Sequence, residues 1–234
     1  MIIGILQCDD VQNQLQPTFG NYPHMLQQLL GTVDPALTFK VYDVRADQYP
    51  QEIDECDAYI STGSKHSVTD SDPWIQKLIA FVSELDSARK KFAGICFGHQ
   101  LIAMALKGQV ALSEKGWGAG VAFNQVSQQR PWMQPYSAGL DIIVSHQEQI
   151  SELPARCQVI AASSFCPAFM IEVENHMLGI QGHPEWSKDY SRALTNTRLE
   201  RIPAQRVREA FCSLNASVDS ELLGRWIVNF FKAA

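Results

Sequence analysis

The spacing of hydrophobic residues divides the first hundred residues into alternating strands and helices. Short apolar runs predict β-strands at IIGILQC, LTFKVYDV, CDAYIST and KFAGIC. Between them, helical spacing predicts a helix at YPHMLQQLLG that ends at Gly31, and another that Asp72 caps and Pro73 begins. A further helix, GHQLIAMALKG, follows the fourth strand directly. This alternation predicts a parallel sheet with functional groups at the carboxyl ends of its strands.

The pattern changes after Gly108. The segments GVAFNQV, LDIIVS, QVIAAS, AFMIEV and HMLGIQ predict short strands joined by turns, and hence an antiparallel or mixed part of the sheet. From Asp189 onward the spacing is helical again, in SRALTNTRLERI, AQRVREAFCSL and ELLGRWIVNFFKAA. We expect the last helix to pack back on the domain. The predicted fold class is α/β, with three layers and a mixed, mainly parallel sheet covered by helices on both faces.

Composition narrows the function classes. A chain of 234 residues that is 46% hydrophobic can bury a sizeable core. The N-terminus has no basic leader, and no window approaches the roughly 20 apolar residues of a membrane span, so we predict no membrane association and a cytoplasmic location. A net charge of -6 without any basic run excludes nucleic acid as an expected partner and favours a small-molecule substrate.

The cysteines and histidines do not suggest a metal centre. The six cysteines are scattered and none forms a C-x-x-C pair, which argues against a disulfide framework or a zinc knuckle. The histidines lack metal-ligand spacing, and His24 and His176 are predicted on helix and turn surfaces. We therefore expect no metal and no cofactor.

One cysteine stands in a pattern that can carry chemistry. GICFGHQ has the form G-x-C-x-G around Cys96, the cysteine counterpart of a strand-turn-helix nucleophile elbow. Gly94 and Gly98 would let the backbone fold sharply there, and a helix N-terminus would stabilise the thiolate. The alternative is a buried, inert thiol at a strand end.

A nucleophilic thiolate needs a base, and two segments offer one. In GIQGHPEW, His183 and Glu185 follow an apolar strand, and in an extended backbone their side chains point to the same side. Glu185 could then orient the imidazole and stabilise its protonated form. VSHQEQI presents the same H-x-E pattern in His146 and Glu148. Spacing alone does not separate the two.

Together these motifs resemble the class I glutamine amidotransferases. Cys96 in GICFGHQ, the later GHPE segment and the loop STGS at residues 61–64 match that family in order, over about residues 1–190. SHQEQ resembles a stretch of the GMP synthase branch. Ser64 stands where that branch usually has proline, and QGHPEW replaces its more usual Q-F-H-P-E. The resemblance implies a flavodoxin-like domain at 1–190, with residues 191–234 as a helical extension packed on it.

The resemblance also implies roles for particular residues. Cys96 would attack the side-chain amide of glutamine, with His183 and Glu185 completing the triad. The backbone N–H groups of Gly63 and Phe97 would stabilise the oxyanion.

Substrate binding is implied for Gln100, Ser145 and His146, and this assignment favours His183 as the base. The chain has no G-x-x-x-x-G-K-S/T motif for a fused ATP-using domain. We therefore expect a stand-alone protein that releases ammonia from glutamine for transfer to an acceptor, which a separate synthetase subunit could hold. The alternatives are a free-standing γ-glutamyl peptidase or hydrolase and a non-catalytic binding module.

Overall fold

The computed structural model describes residues 1–233. Its strands are β1 (Ile2–Gln7), β2 (Thr38–Asp43), β3 (Ala58–Ser61), β4 (Lys91–Ile95), β5 (Gln109–Leu112), β6 (Gly118–Val126), β7 (Gly139–His146), β8 (Glu148–Glu152), β9 (Cys157–Ala162), β10 (Met170–Val173) and β11 (Met177–Ile180). Its α-helices are α1 (Gln16–Phe19), α2 (Tyr22–Val33), α3 (Pro73–Ser87), α4 (Phe97–Ala105), α5 (Lys188–Asn196), α6 (Ala204–Ser213) and α7 (Ser220–Lys232).

Nine strands form one sheet in the order β2-β1-β3-β4-β11-β10-β9-β6-β7. The pairs from β2 to β11 are all parallel, whereas the pairs from β11 to β7 are antiparallel. The predicted mixed, mainly parallel α/β fold is therefore confirmed. A separate two-stranded sheet of β5 and β8, which the apolar pattern did not predict, accompanies the main one.

Strand alternation assigns side chains to the two faces of the sheet. On one face, Ile3 and Ile5 of β1 pack with Leu30 of α2 and Trp226 of α7. On the other, Leu6 of β1 packs with apolar residues of α3 and α4. Both faces are buried, as expected for parallel strands that read as nearly continuous apolar runs.

The register of the parallel strands brings their carboxyl ends to one edge. Ser61 of β3 pairs with Gly94 of β4, and Ile95 of β4 pairs with Ile180 of β11. The residues that follow these strands therefore lie side by side, although 84 positions separate Cys96 from Ile180 along the chain.

The helices largely follow the predicted pattern. Pro73 begins α3 with Asp72 as its N-cap residue. Helix α2, however, continues past Gly31 to Val33. Gly31 does not adopt the left-handed backbone that would end the helix there, and the residues after it remain helical. Within residues 1–233, none of the helices is long and apolar enough to cross a membrane.

Candidate active site

Cys96 lies in a sharp turn between β4 and α4. Its backbone has φ 51° and ψ −93°, a conformation that costs a non-glycine residue about 1–3 kcal/mol. Gly94 and Gly98 make the turn possible, since a Cβ at Gly94 would overlap the backbone of Gly98 and one at Gly98 would overlap Ser61. The Cys96 N–H donates to the Ile180 carbonyl at 2.7 Å, which fixes the turn to β11.

His183 and Glu185 form a buried ion pair after β11. Nδ1 of His183 lies 2.8 Å from Oε1 of Glu185, and their side chains are 3% and 1% exposed. Burial alone would lower the pKa of His183, but the interactions of its ring with Glu185 and Cys96 outweigh burial and raise that pKa to about 9. The imidazolium is thus the stable form at neutral pH.

The other H-x-E segment has a different geometry. His146 ends β7 and Glu148 begins β8, and the Glu148 carboxylate accepts a hydrogen bond from Ser67 rather than from His146. His146 is buried, with its Nε2 3.3 Å from Nε2 of Gln149. Burial, together with the positive charge of His183, lowers the pKa of His146 to about 3, so this ring is neutral.

The backbone amides of Gly63 and Phe97 flank the thiol. Within residues 1–233, neither N–H donates to another protein group. A Cβ at Gly63 would lie 2.7 Å from Cε1 of His183 and 3.6 Å from Cβ of Cys96, so only glycine allows this close approach. Phe97 is the first residue of α4, where backbone N–H groups are free of helical partners.

An ion pair fixes the loop that contains Gly63. The buried Asp9 accepts hydrogen bonds from the backbone N–H and from Nζ of Lys65, at 2.9 and 3.0 Å. Thr62 Oγ1 also accepts from the N–H of Cys8 at 2.9 Å. The loop is therefore held by β1 and by the residues that follow it.

Two glutamines connect the thiol to the rest of the site. Nε2 of Gln181 lies 3.4 Å from Sγ of Cys96. Gln100 donates from Nε2 to the Glu148 carbonyl at 2.9 Å and to Oε1 of Gln181 at 3.2 Å. The sequence predicted Gln100 but not Gln181, although Gln181 stands two residues before His183.

Trp186 is a further residue that the sequence did not predict. Its ring stacks on the His183 imidazole, with centroids 3.6 Å apart and planes 9° from parallel. A tryptophan face in this position stabilises a cationic imidazolium. Tyr22 and Tyr190 pack against the same indole ring, with centroids at 6.2 and 5.0 Å.

These residues line a cleft of about 180 Å³. All the predicted site residues line the cleft except Glu185, which lies behind His183. The lining residues among them are Gly63, Cys96, Phe97, Gln100, Ser145, His146 and His183. Arg198, Arg201 and Trp117 also line it. No sequence signal distinguished these three, because Arg198 and Arg201 lie in a polar stretch that resembles a solvated helix face.

Potential metal ligands meet at the edge of the cleft. One ligand atom from each of His66, Asp70 and Asp72 lies within 4.8 Å of the others. All three residues are partly exposed, and His66 Nδ1 is 3.7 Å from Asp70 Oδ2. This geometry is common among surface carboxylates and does not identify a metal site.

Comparisons with known proteins agree with this geometry. The family model for glutamine amidotransferase class-I matches residues 19–196. The chain is 33% identical to gamma-glutamyl peptidase 4 of Arabidopsis thaliana over 74% of its own length and 70% of that protein. It is 28% identical to a glutamine-hydrolyzing GMP synthase subunit of Methanothermobacter thermautotrophicus over 55% of its length and 69% of that protein. A crystal structure of a glutamine amidotransferase from Thermotoga maritima superposes with a TM-score of 0.74 at 14% identity, covering 99% of this chain and 98% of that one.

The fold and the cleft define an amide hydrolase with a cysteine nucleophile. The chain belongs to the class I glutamine amidotransferase family.

Proposed function

We propose that this chain hydrolyses the side-chain amide of γ-glutamyl compounds through a thioester on Cys96. The main support is the meeting, at one sheet edge, of a strained Cys96, the ion pair of His183 and Glu185, and the free amides of Gly63 and Phe97. Glutamine is the simplest such compound, and γ-glutamyl peptides have the same reacting group.

In the first half of the reaction, the Cys96 thiolate attacks the carbonyl carbon of the amide. The N–H groups of Gly63 and Phe97 stabilise the negative charge that develops on the carbonyl oxygen. As the C–N bond breaks, protonated His183 donates its proton to the leaving amine, and a thioester remains on Cys96.

In the second half, neutral His183 accepts a proton from a water molecule that attacks the thioester. The C–S bond breaks, glutamate leaves, and the thiolate and imidazolium form again. Glu185 orients the imidazole, and its charge stabilises the protonated state at both ends of the cycle.

Gln100, Ser145 and His146 are proposed to position the substrate. Each lines the cleft. His146, held neutral by burial, can exchange hydrogen bonds with a polar substrate without adding a charge to the cleft.

We also propose the domain division given by the family resemblance. In this proposal residues 1–190 supply the amidotransferase domain and residues 191–234 are an extension on it, of which Ala234 lies outside the residues that the structure describes. Packing of Trp226 of α7 against the same apolar cluster as α2 supports this division, as does the hydrogen bond from its Nε1 to the Pro135 carbonyl at 2.9 Å. A cytoplasmic location belongs to the same proposal, because six free thiols fit a reducing compartment.

Incubation with glutamine and with γ-glutamyl peptides, followed by measurement of the released ammonia or amine, tests the proposed chemistry. We expect turnover in the wild type and none in Cys96→Ser. Cys166→Ser, which changes a thiol that is 2% exposed and outside the cleft lining, is the matched control and should retain activity.

Labelling with a chloroketone analogue of glutamine tests the nucleophile separately. Cys212 is the exposed thiol, whereas Cys96 is only 6% exposed. If the surroundings of a thiol, rather than its exposure, determine its reactivity, mass spectrometry will find the adduct on Cys96. An adduct on Cys212 alone would contradict the assignment.

A second function, release of ammonia to a separate synthetase, is favoured by the similarity to the GMP synthase subunit described above. The two functions differ in autonomy. A kcat of about 1 to 1000 per second on any γ-glutamyl substrate by the isolated chain would support autonomous hydrolysis. Negligible turnover that a co-purifying ATP-dependent enzyme restores would instead support ammonia transfer within a complex.

A further inference from the structure

Two arginines enter the cleft from the segment between α5 and α6. Arg198 and Arg201 both line it, and the guanidinium carbon of each lies 5.9 Å from the centroid of the Trp117 ring. The two positive charges thus lie next to one aromatic ring. Such an arrangement suits recognition of a planar anion, because guanidinium groups bind carboxylates through paired N–H donors.

Neither arginine has an acidic partner in the part of the chain that the structure describes. Ion pairs hold five other arginines, namely Arg45, Arg89, Arg130, Arg156 and Arg206. Arg198 instead donates from Nη1 to the neutral Ser145 Oγ at 2.7 Å. Two unpaired cations side by side in a partly enclosed cleft repel each other, and an anion bound between them would relieve that repulsion.

The position of Arg198 points to the leaving-group side of the cleft. Tyr22 and Trp186 line the cleft with Arg198, and Trp186 stacks on His183, the proposed proton donor to the leaving amine. Gln100 and Gln181, by contrast, bond to each other beside the thiol. Arg198, Tyr22 and Trp186 therefore line the cleft together with His183, the group that would protonate the leaving amine.

Apolar surface accompanies the arginines. Leu112 lines the cleft although 69% of it is exposed, and the Trp117 ring lies near both guanidinium groups. Together they offer contacts to a side chain next to the bound anion.

We propose that Arg198 and Arg201 bind the carboxylate of the leaving amine, so that the preferred substrates are γ-glutamyl amino acids or peptides with a free carboxylate. This inference rests on the proposed function and narrows its substrate class. Glutamine releases ammonia and cannot use this contact. The arginines are specificity residues, and the reacting groups remain those described above.

The test compares γ-glutamylglycine, whose leaving group has a free carboxylate, with γ-glutamylglycinamide, in which a neutral amide replaces it. The wild type should favour γ-glutamylglycine in kcat/KM. Arg198→Gln should reduce the ratio of the two kcat/KM values by about 10- to 100-fold, the effect of losing a hydrogen bond to a charged group. Arg201→Gln, at an exposed position, should reduce it by about 2- to 5-fold.

Arg192→Gln is the matched control. Arg192 lies on α5, contacts the ring of Phe211 and is outside the cleft lining, so the ratio should stay at the wild-type value. Thermal unfolding of each variant shows whether the Arg198 change disturbs the fold. If the Arg198 change disturbs the fold, the ratio of kcat/KM values measured for the exposed Arg201→Gln variant tests the proposal instead.

Binding separates this inference from the proposed chemistry. Calorimetric titration of Cys96→Ala with the same two compounds should show the same preference and its loss in Arg198→Gln. If the protein binds γ-glutamylglycine selectively but does not turn it over, the proposed hydrolysis is wrong and the proposed carboxylate site is retained. If Arg198→Gln loses the same affinity for both compounds, or if neither compound binds, the assignment of the arginines to the leaving group is wrong.

Discussion

The molecule contains two His-x-Glu segments, at residues 183–185 and 146–148, which differ in what surrounds the imidazole. Both histidines are buried. The pKa of His183 is raised to about 9 because a buried carboxylate contacts it, whereas burial without such a partner lowers the pKa of His146 to about 3. Burial therefore does not determine the charge of a histidine; its partner does.

The backbone explains why only one segment forms an ion pair. His146 ends a strand of the main sheet and Glu148 begins a strand of the small sheet, so the chain leaves one sheet for the other between them. The two side chains therefore do not share one face. After β11 no such change occurs, and Glu185 reaches back to His183.

The largest expected effect comes from removing the proposed base. His183→Ala should lower kcat by about 10² to 10⁴, the range of general acid and base catalysis. Steady-state release of amine from a γ-glutamyl substrate measures it. A loss of that size in a His146 variant with His183→Ala nearly unaffected would transfer the role to the other segment.

Replacing the Glu185 carboxylate should have the next largest effect on catalysis. Glu185→Gln leaves His183 buried without its charge partner, so the His183 pKa should fall below 9 and kcat/KM should fall by about 10- to 100-fold. NMR titration of the imidazole follows the pKa. Glu148→Gln is the matched control and should leave the His183 titration in place.

The two histidines should also give opposite slopes of stability against pH. Since the folded pKa of His183 is raised, its contribution is complete below about pH 6.5 and is lost as pH rises through about 9. The folded pKa of His146 is depressed, so its contribution is present above about pH 6.5 and is lost as pH falls towards 3. Denaturant midpoints from pH 4 to 9 measure both slopes. His183→Ala should flatten the alkaline one, and His146→Gln should weaken the acidic one, to which buried His99 also contributes.

His146→Gln should have a smaller effect on catalysis. If His146 positions the substrate, KM should rise by about 2- to 10-fold and kcat should change less, as expected for the loss of a neutral hydrogen bond. Full substrate saturation curves separate the two constants. A fall in kcat with KM unchanged would count against a binding role.

The smallest expected effect belongs to Trp186. Trp186→Leu removes the ring that stacks on the imidazolium, and kcat/KM should fall by about 2- to 5-fold, with a modest fall in the His183 pKa. Trp186→Phe keeps an aromatic face and should lie between Trp186→Leu and the wild type. Identical behaviour of both variants would show that the stacking has no electrostatic role.

Much of the fold could be predicted from the sequence because burial on both sides of a parallel strand leaves a strong apolar signal. The strands around Cys96 and the start of α3 at Pro73 follow from that signal. The small sheet of β5 and β8 was not predicted, since its short strands have many exposed positions. The surface prediction for His176 was wrong, because Asp86 lies 2.8 Å from its Nε2 and compensates its burial.

The candidate site was predictable where local geometry dictates residue type. Glycines at positions 94 and 98 are required by the turn around Cys96, and they mark it in the sequence. The roles assigned to the site residues stay predictions. Arg198 contacts Ser145 from a segment far away in the chain, and no local pattern records such a contact. Trp186 stands close to His183 in the sequence, but spacing alone does not show that the two rings stack.

The order of strands has a consequence for the protein during its synthesis. Strand β11 inserts beside β4, and its following residues include His183. A ribosome-bound chain that has emerged only as far as α4 holds the thiol but not the imidazole that would activate it. The proposed site is therefore complete only after the pairing of distant strands, which is among the slower steps of folding.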